Sequence, residues 1–204
     1  MEKNSLFEIF DKLDNIAEEN DVKIDGCLVE YSQDGRELIQ ALGRIEEYSI
    51  KNGTTIICDG AFSDIESLER IIIPASVTSI GHGIVQHCQK MTSMIVDVNN
   101  PNYSGDGVAL FNKDKTTLIY CVKGVSGTYT VPASVTTIAS GAFFHSPFLT
   151  SVVFAAGSAL TTIEGSAFES CYAMTSITLP AGLETIGNYA FSGCSELLSI
   201  FQPV

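Results

Sequence analysis

The sequence predicts a right-handed solenoid, a β-rich coil whose stacked turns lay parallel strands side by side and join them by short turns or single helical turns. Two observations carry that prediction: an apolar pattern that recurs about every 23 residues, and a spacing within it that fits neither helix nor strand throughout. Phe62, Val85, Phe143, Phe168 and Phe191 each follow an isoleucine by five residues, namely Ile57, Ile80, Ile138, Ile163 and Ile186. Three residues further on stand Ile65, Cys88, Ser146, Cys171 and Cys194; six on, Leu68, Met91, Leu149, Met174 and Leu197; nine on, Ile71, Met94, Val152, Ile177 and Ile200. The intervals between aromatic positions are 23, 58, 25 and 23 residues, so the long one is a turn plus a 35-residue insertion.

Each unit changes local structure as it goes. Leu149-Thr-Ser-Val-Val-Phe154 and Met174-Thr-Ser-Ile-Thr-Leu179 alternate as short strands do, with Val152, Phe154, Ile177 and Leu179 facing the core. Around Gly60-Ala-Phe62, Gly141-Ala-Phe143, Ser166-Ala-Phe168 and Tyr189-Ala-Phe191 a small residue precedes a bulky one, as at a turn that comes close and then fills a pocket.

With these units in view, Pro132-Ala-Ser-Val-Thr-Thr-Ile138, Pro180-Ala-Gly-Leu-Glu-Thr-Ile-Gly187, Ala190-Phe-Ser-Gly-Cys194 and Leu149-Thr-Ser-Val152 resemble the bacterial BspA-like, or Treponema-type, leucine-rich repeat over about residues 54 to 204. The resemblance implies a leucine-rich-repeat solenoid that binds partners, and a secreted or cell-surface protein of a host-associated bacterium. The second unit departs from the pattern, with His82-Gly-Ile-Val85 in place of Ala-Phe and Asp97 in place of proline.

Inside the insertion, Asp106-Gly-Val-Ala-Leu-Phe111 and Thr116-Thr-Leu-Ile-Tyr-Cys121 flank the polar Asn112-Lys-Asp-Lys115, which predicts a β-hairpin. Residues 34–49 first look helical, with Leu38, Leu42, Ile45 and Tyr48 at helical spacing. Adding 81 overrides that reading: it carries Asp25-Gly26 onto Asp106-Gly107, Tyr48 onto Tyr129, Ile57 onto Ile138 and Phe62 onto Phe143. The region is therefore a second hairpin module, aligned with the first after a one-residue shift near its tip. Asn4 to Glu19 predicts an amphipathic helix, capped by Ser5 and Glu8 and apolar at Leu6, Ile9, Phe10, Leu13, Ile16 and Ala17. It would cover the open end of the coil. The expected organisation is one solenoid domain over 1–204: a cap over 1–20, a hairpin module over 21–50, two repeats over 51–96, a second module over 97–131 and three repeats over 132–204.

Composition narrows the function. A net charge of −13, with no basic patch in the sequence, disfavours nucleic acid as a partner. No apolar run is long enough to span a bilayer. Glu2, Glu8, Asp11 and Asp14 stand where a secretory signal would be cationic and then apolar, so no signal peptide is expected in this chain. The six cysteines do not force a disulfide framework, and Cys88, Cys171 and Cys194 share one repeat position with Ser146 and Ile65, which points to core packing.

Candidate chemistry is sparse. His82, His87 and Cys88 lie close in sequence but lack a fourth metal ligand, and Asp97, Asn99, Asn100, Asn102 and Asp106 lack the ligand spacing of a calcium loop. Glu164, Glu169, Glu184 and Glu196 fall at different repeat positions, so nothing pairs them for acid–base work. No phosphate loop, nucleophile elbow or Cys-x-x-Cys motif is present, and the expectation is no enzyme, no metal and no cofactor. What remains is the strand face. Arg70, Ile72, Ser93, Ile95, Ser151, Val153, Ser176, Thr178, Ser199 and Phe201 alternate with the core residues and should point outward, offering hydroxyl and apolar contacts to a protein or glycan. A structural spacer in a larger repeat array is the alternative.

Overall fold

The computed structural model describes residues 22–24 and 27–201. It is a coil of seven turns, each made of a two- to six-residue strand in a first ladder and another in a second, with parallel pairing from turn to turn within each half. The anticipated helix at residues 4–19 lies outside the described residues.

In the N-terminal half the strands are β1 (Val22–Ile24), β2 (Cys27–Tyr31), β3 (Glu37–Leu42), β4 (Glu47–Ser49), β5 (Ile56–Ile57), β6 (Arg70–Ile73), β7 (Ser79–Ile80) and β8 (Ser93–Val96). In the C-terminal half they are β9 (Tyr103–Gly105), β10 (Ala109–Asn112), β11 (Thr117–Cys121), β12 (Gly127–Val131), β13 (Thr137–Ile138), β14 (Leu149–Phe154), β15 (Thr162–Ile163), β16 (Ser176–Thr178), β17 (Thr185–Ile186) and β18 (Ser199–Phe201). Four sheets result, two per half: β1-β2-β3-β5-β7 and β4-β6-β8, then β9-β10-β11-β13-β15-β17 and β12-β14-β16-β18.

Both hairpins form, and residues 37–42 and 47–49 are strands rather than helix. They are more than insertions, however. The second strand of each, β3 or β11, pairs antiparallel with its hairpin partner on one side and parallel with the next turn on the other. Each module thus contributes one ordinary turn of the coil, and its remaining strands cover the ladder edge at the start of its half, which would otherwise expose unpaired backbone groups. Leu38 pairs with Ile57 as Leu118 pairs with Ile138, so within the hairpins the copies are offset by 80 residues and regain 81 by Tyr48.

The repeat positions form the core. Ile57, Ile138 and Ile163, Phe62, Val85, Phe143 and Phe168, and Leu68, Met91, Leu149 and Met174 are all fully buried. Two clusters result: the first takes in Leu110 and Val122 of the second half along with the core of the first, and Val108 and Val125 pack against both. In the last described turn the same positions are half-covered: Ile186 and Ile200 are 49% and 46% exposed, with a neighbouring turn on one side only among the described residues.

The stretches around the aromatic position contain no helix among the described residues, which corrects the expected short helical turns. The reason lies in the backbone. The residues two before and two after the aromatic position adopt positive φ in turn after turn: Gly60 and Asp64, Gly83 and His87, Gly141 and His145, Ser166 and Ser170, Tyr189 and Gly193. A left-handed residue every fourth position stops a helix from propagating. It also aims alternate N–H groups along the coil axis, so Gly60, Phe62 and Asp64 donate to His82, Ile84 and Gln86 one turn on, and Ser166, Phe168 and Ser170 donate to Asn188, Ala190 and Ser192. Backbone groups that a helix would satisfy internally are satisfied between turns.

Candidate binding face

The ladders β4-β6-β8 and β12-β14-β16-β18, built of three- to six-residue strands, carry the outward-pointing side chains anticipated above. Pairing aligns Arg70 with Ser93 and Ile72 with Ile95 on the first sheet. On the second, Ser151, Ser176 and Ser199 form one row, while Thr178 pairs with Phe201 beside Val153. Ile72, Ile95 and Val153 are 36%, 41% and 45% exposed, Arg70 and Thr178 are exposed, and the serines are half-buried.

The face is therefore two sheets rather than one, and it begins earlier than the repeat pattern indicated. Glu47 and Ser49 extend the Arg70 and Ile72 rows, and Thr128 and Thr130 extend the Ser151 and Val153 rows. Glu47 also holds Arg70 in an exposed ion pair at 3.2 Å, an interaction that water largely screens. These four residues escaped the sequence reading because they belong to the hairpin modules. The 81-residue copy relation contained the signal, since it maps Tyr48 onto Tyr129 and both stand in register with core residues of the following strand.

The cysteines are core groups. Cys88, Cys171 and Cys194 each donate to the carbonyl of the aromatic residue one turn back, Phe62, Phe143 and Phe168, at 2.9, 3.1 and 3.0 Å. Burial pushes the Cys88 thiol up to about 11 and Cys121 higher still, away from the nucleophilic thiolate; Cys171 is raised by its hydrogen bond with Cys194 and by burial. All six are free thiols. Ser146, at the same repeat position, is buried without a hydrogen-bond partner.

The structure separates His82, His87 and Cys88. His87 Nδ1 meets Asp64 Oδ1 at 2.7 Å and His82 lies 3.7 Å from Asp59, each one turn back, while the Cys88 thiol points into the core. His87 instead packs edge-on against His145, 58 residues away, with ring centres 5.9 Å apart. Burial, His87 and Lys123 hold the His145 pKa below the ordinary value. The oxygen-rich loop at 97–106 is spent on turns: buried Asn100 donates to the carbonyls of Pro74 and Val77, Asn102 donates to Thr78, and Asp106 accepts from Val108, Ala109 and the Tyr129 hydroxyl. The asparagine bonds fasten this loop to the last turn of the first half, and those of Asp106 hold the second module together.

That junction also buries Lys123. It stands five residues after Leu118, the step that separates Ile138 from Phe143, so a lysine occupies the place of an aromatic. Its Nζ donates to the Phe144 carbonyl at 2.6 Å. In regular turns the equivalent carbonyl, that of Gln86, Glu169 or Ser192, accepts a backbone N–H from the preceding turn. The ammonium thus replaces a donor that the shortened turn lacks. Beside it, Gly124 donates to the Met91 carbonyl at 2.8 Å, and a Cβ there would lie 2.7 Å from that oxygen.

Comparison with known proteins agrees with this architecture. A family model described as BspA type leucine rich repeat region matches in six copies over residues 40–125 and 120–203. A leucine-rich repeat protein from Eubacterium ventriosum is similar at a TM-score of 0.68 and 28% identity, over 78% of this chain and 42% of that one. The pneumococcal vaccine antigen PcpA is similar in fold at a TM-score of 0.60 and 24% identity, over 74% of this chain and 44% of that one. The chain thus spans less than half the length of either. None of the curated proteins matches it.

Proposed function

We propose that this chain, which belongs to the BspA type leucine-rich-repeat family, is a non-catalytic scaffold that binds a protein or glycan through the outer rows of its β4-β6-β8 and β12-β14-β16-β18 ladders. The observation that carries the reading is the exposure of Ile72 and Ile95, in register on one sheet, and of Val153 on the other, among hydroxyl-bearing residues. Exposed aliphatic side chains held on a rigid sheet supply apolar contact area without a large ordering cost, and the flanking Thr130, Ser151, Ser176 and Thr178 supply hydrogen bonds. Recognition of this kind suits adhesion at a cell surface.

The test is a screen of the intact chain against immobilised extracellular matrix proteins and a glycan array, repeated with an Ile95→Asp, Val153→Asp variant. Binding that the variant loses supports the reading. Binding that it keeps moves the site off this face, and no binding to any probe removes the adhesive role.

A second reading, a spacer or assembly segment of a larger array, is favoured by the regular in-register stacking of like turns from β12 through β18. Under it, extending the chain by designed repeats raises stability while no probe is bound.

A further inference from the structure

The junction between the halves holds a cavity of about 220 Å³ lined by His82, Gly83, Gln86, Tyr120, Lys123, Ser140, Gly141 and Phe144. Lys123 is 2% exposed and is the one cation in the described core. Buried charges are ordinarily paired, because an ion removed from water loses several kcal/mol of solvation. Among the described residues Lys123 makes no ion pair, and the ionisable groups coupled to it include the thiols of Cys121, Cys171 and Cys88 and the His145 ring, none of them a carboxylate. Of its three N–H donors, one reaches the Phe144 carbonyl; the Tyr120 ring lies 5.8 Å from Nζ, a loose cation–π distance.

We infer that this cavity is a binding site for a small oxyanion, a carboxylate or a phosphate, with Lys123 as its charge partner. Two unused ammonium donors match two acceptor oxygens of such a group. Gly83 and Gly141, both at positive φ, present backbone without side chains at its wall, and the exposed Gln86, Ser140 and His82 stand at its rim. His82 also keeps the nearby Asp59 occupied: its backbone N–H donates to Asp59 Oδ1 at 2.7 Å. The volume restricts the ligand to a few heavy atoms, such as an acetate-sized acid or the carboxylate end of a sugar acid.

The site is distinct from the ladder face and does not depend on it. Calorimetric titration of the full chain with acetate, glucuronate and inorganic phosphate tests it. Saturable binding with a Kd of about 1 mM or tighter is expected for at least one. It should weaken at least about tenfold in Lys123→Met, and likewise in Gln86→Trp, which plugs the rim and leaves the lysine in place. Binding by the two carboxylates alone assigns a carboxylate site, and binding by phosphate alone a phosphate site. Should Lys123→Met fail to fold by circular dichroism, Gln86→Trp decides. Absence of saturable binding by all three anions, or binding that survives Gln86→Trp, overturns the proposal.

Discussion

In the N-terminal half the Tyr48 ring packs on Phe62 at 5.8 Å and the aromatic column then stops, because the next turn places Val85 there. In the C-terminal half Tyr129 packs on Phe143 at 5.7 Å and the column runs on through Phe168 and Phe191, nearly parallel and stacked at 4.9 and 5.2 Å. The opening hydrogen bonds differ as well. Tyr48 shares its hydroxyl with Tyr31 at 3.0 Å, whereas Tyr129 donates to Asp106 at 2.6 Å; burial raises both phenols, with Asp106 raising Tyr129 further. The two halves share one plan, but the first breaks its column at the junction and the second carries it through each of its described turns. Loss of the aromatic at Val85 coincides with the one place among the described residues where a turn meets a shortened, lysine-bearing turn instead of a regular one.

The largest test of that contrast is truncation within the columns. Phe168→Ala removes a fully buried ring with neighbours on both sides and should cost about 3–5 kcal/mol, whereas Val85→Ala should cost about 1–3 kcal/mol. Urea unfolding measures both, and equal losses would show that the aromatic column is not what distinguishes the halves.

The junction lysine gives the next effect. Burial, the largest cause, lowers the Lys123 pKa from 10.5 to about 8. Between those values the unfolded chain holds the proton that the folded chain has released, so stability should rise with pH across that window. Comparison with Lys123→Met cancels most of the opposing ionisation of thiols and phenols. The wild-type chain should gain up to about 3 kcal/mol over the variant between pH 8 and pH 10.5. A flat difference would mean that the folded lysine keeps its ordinary affinity for the proton.

The smallest test sets equivalent residues of the cysteine row against each other. Ser146→Ala removes a buried hydroxyl without a partner and should stabilise by about 1 kcal/mol. Cys171→Ala removes a buried thiol that donates to Phe143 and should destabilise by about 1–2 kcal/mol. Thermal unfolding resolves the opposite signs, and a shared sign would deny that the row is held by thiol–carbonyl bonds.

The core was legible because each repeat position returns the same kind of side chain: Leu68, Met91, Leu149 and Met174 are interchangeable apolar groups at one depth. The strand face followed, since alternation fixes which neighbours of Ile71, Met94, Val152 and Ile177 point away. The two extra turns were harder to see because their cores hold Leu38 and Leu118 instead of isoleucine, and Lys123 instead of an aromatic. The left-handed positions were illegible for another reason. Gly60, Ser166 and Tyr189 share a backbone conformation that only the first advertises by its residue type, and in the others inter-turn hydrogen bonds override local preference. Nothing local could have paired His87 with His145, because the contact arises from closing the junction over the second hairpin.

The stacking of whole turns has a mechanical consequence. Tension along the chain acts on a ladder perpendicular to its strands, so the array yields one coil at a time, and each released 23-residue coil adds at most about 80 Å of slack. Between the halves the backbone links are few, Met94 to Gly107 and Gly124 to Met91 among them, which makes the junction the first point to give way. A pulled molecule would therefore lengthen in a sawtooth of small rips, visible by force spectroscopy, and a single abrupt rupture would be the contrary result. A tether built this way absorbs a tug by lengthening, while the ladders that remain coiled keep their shape.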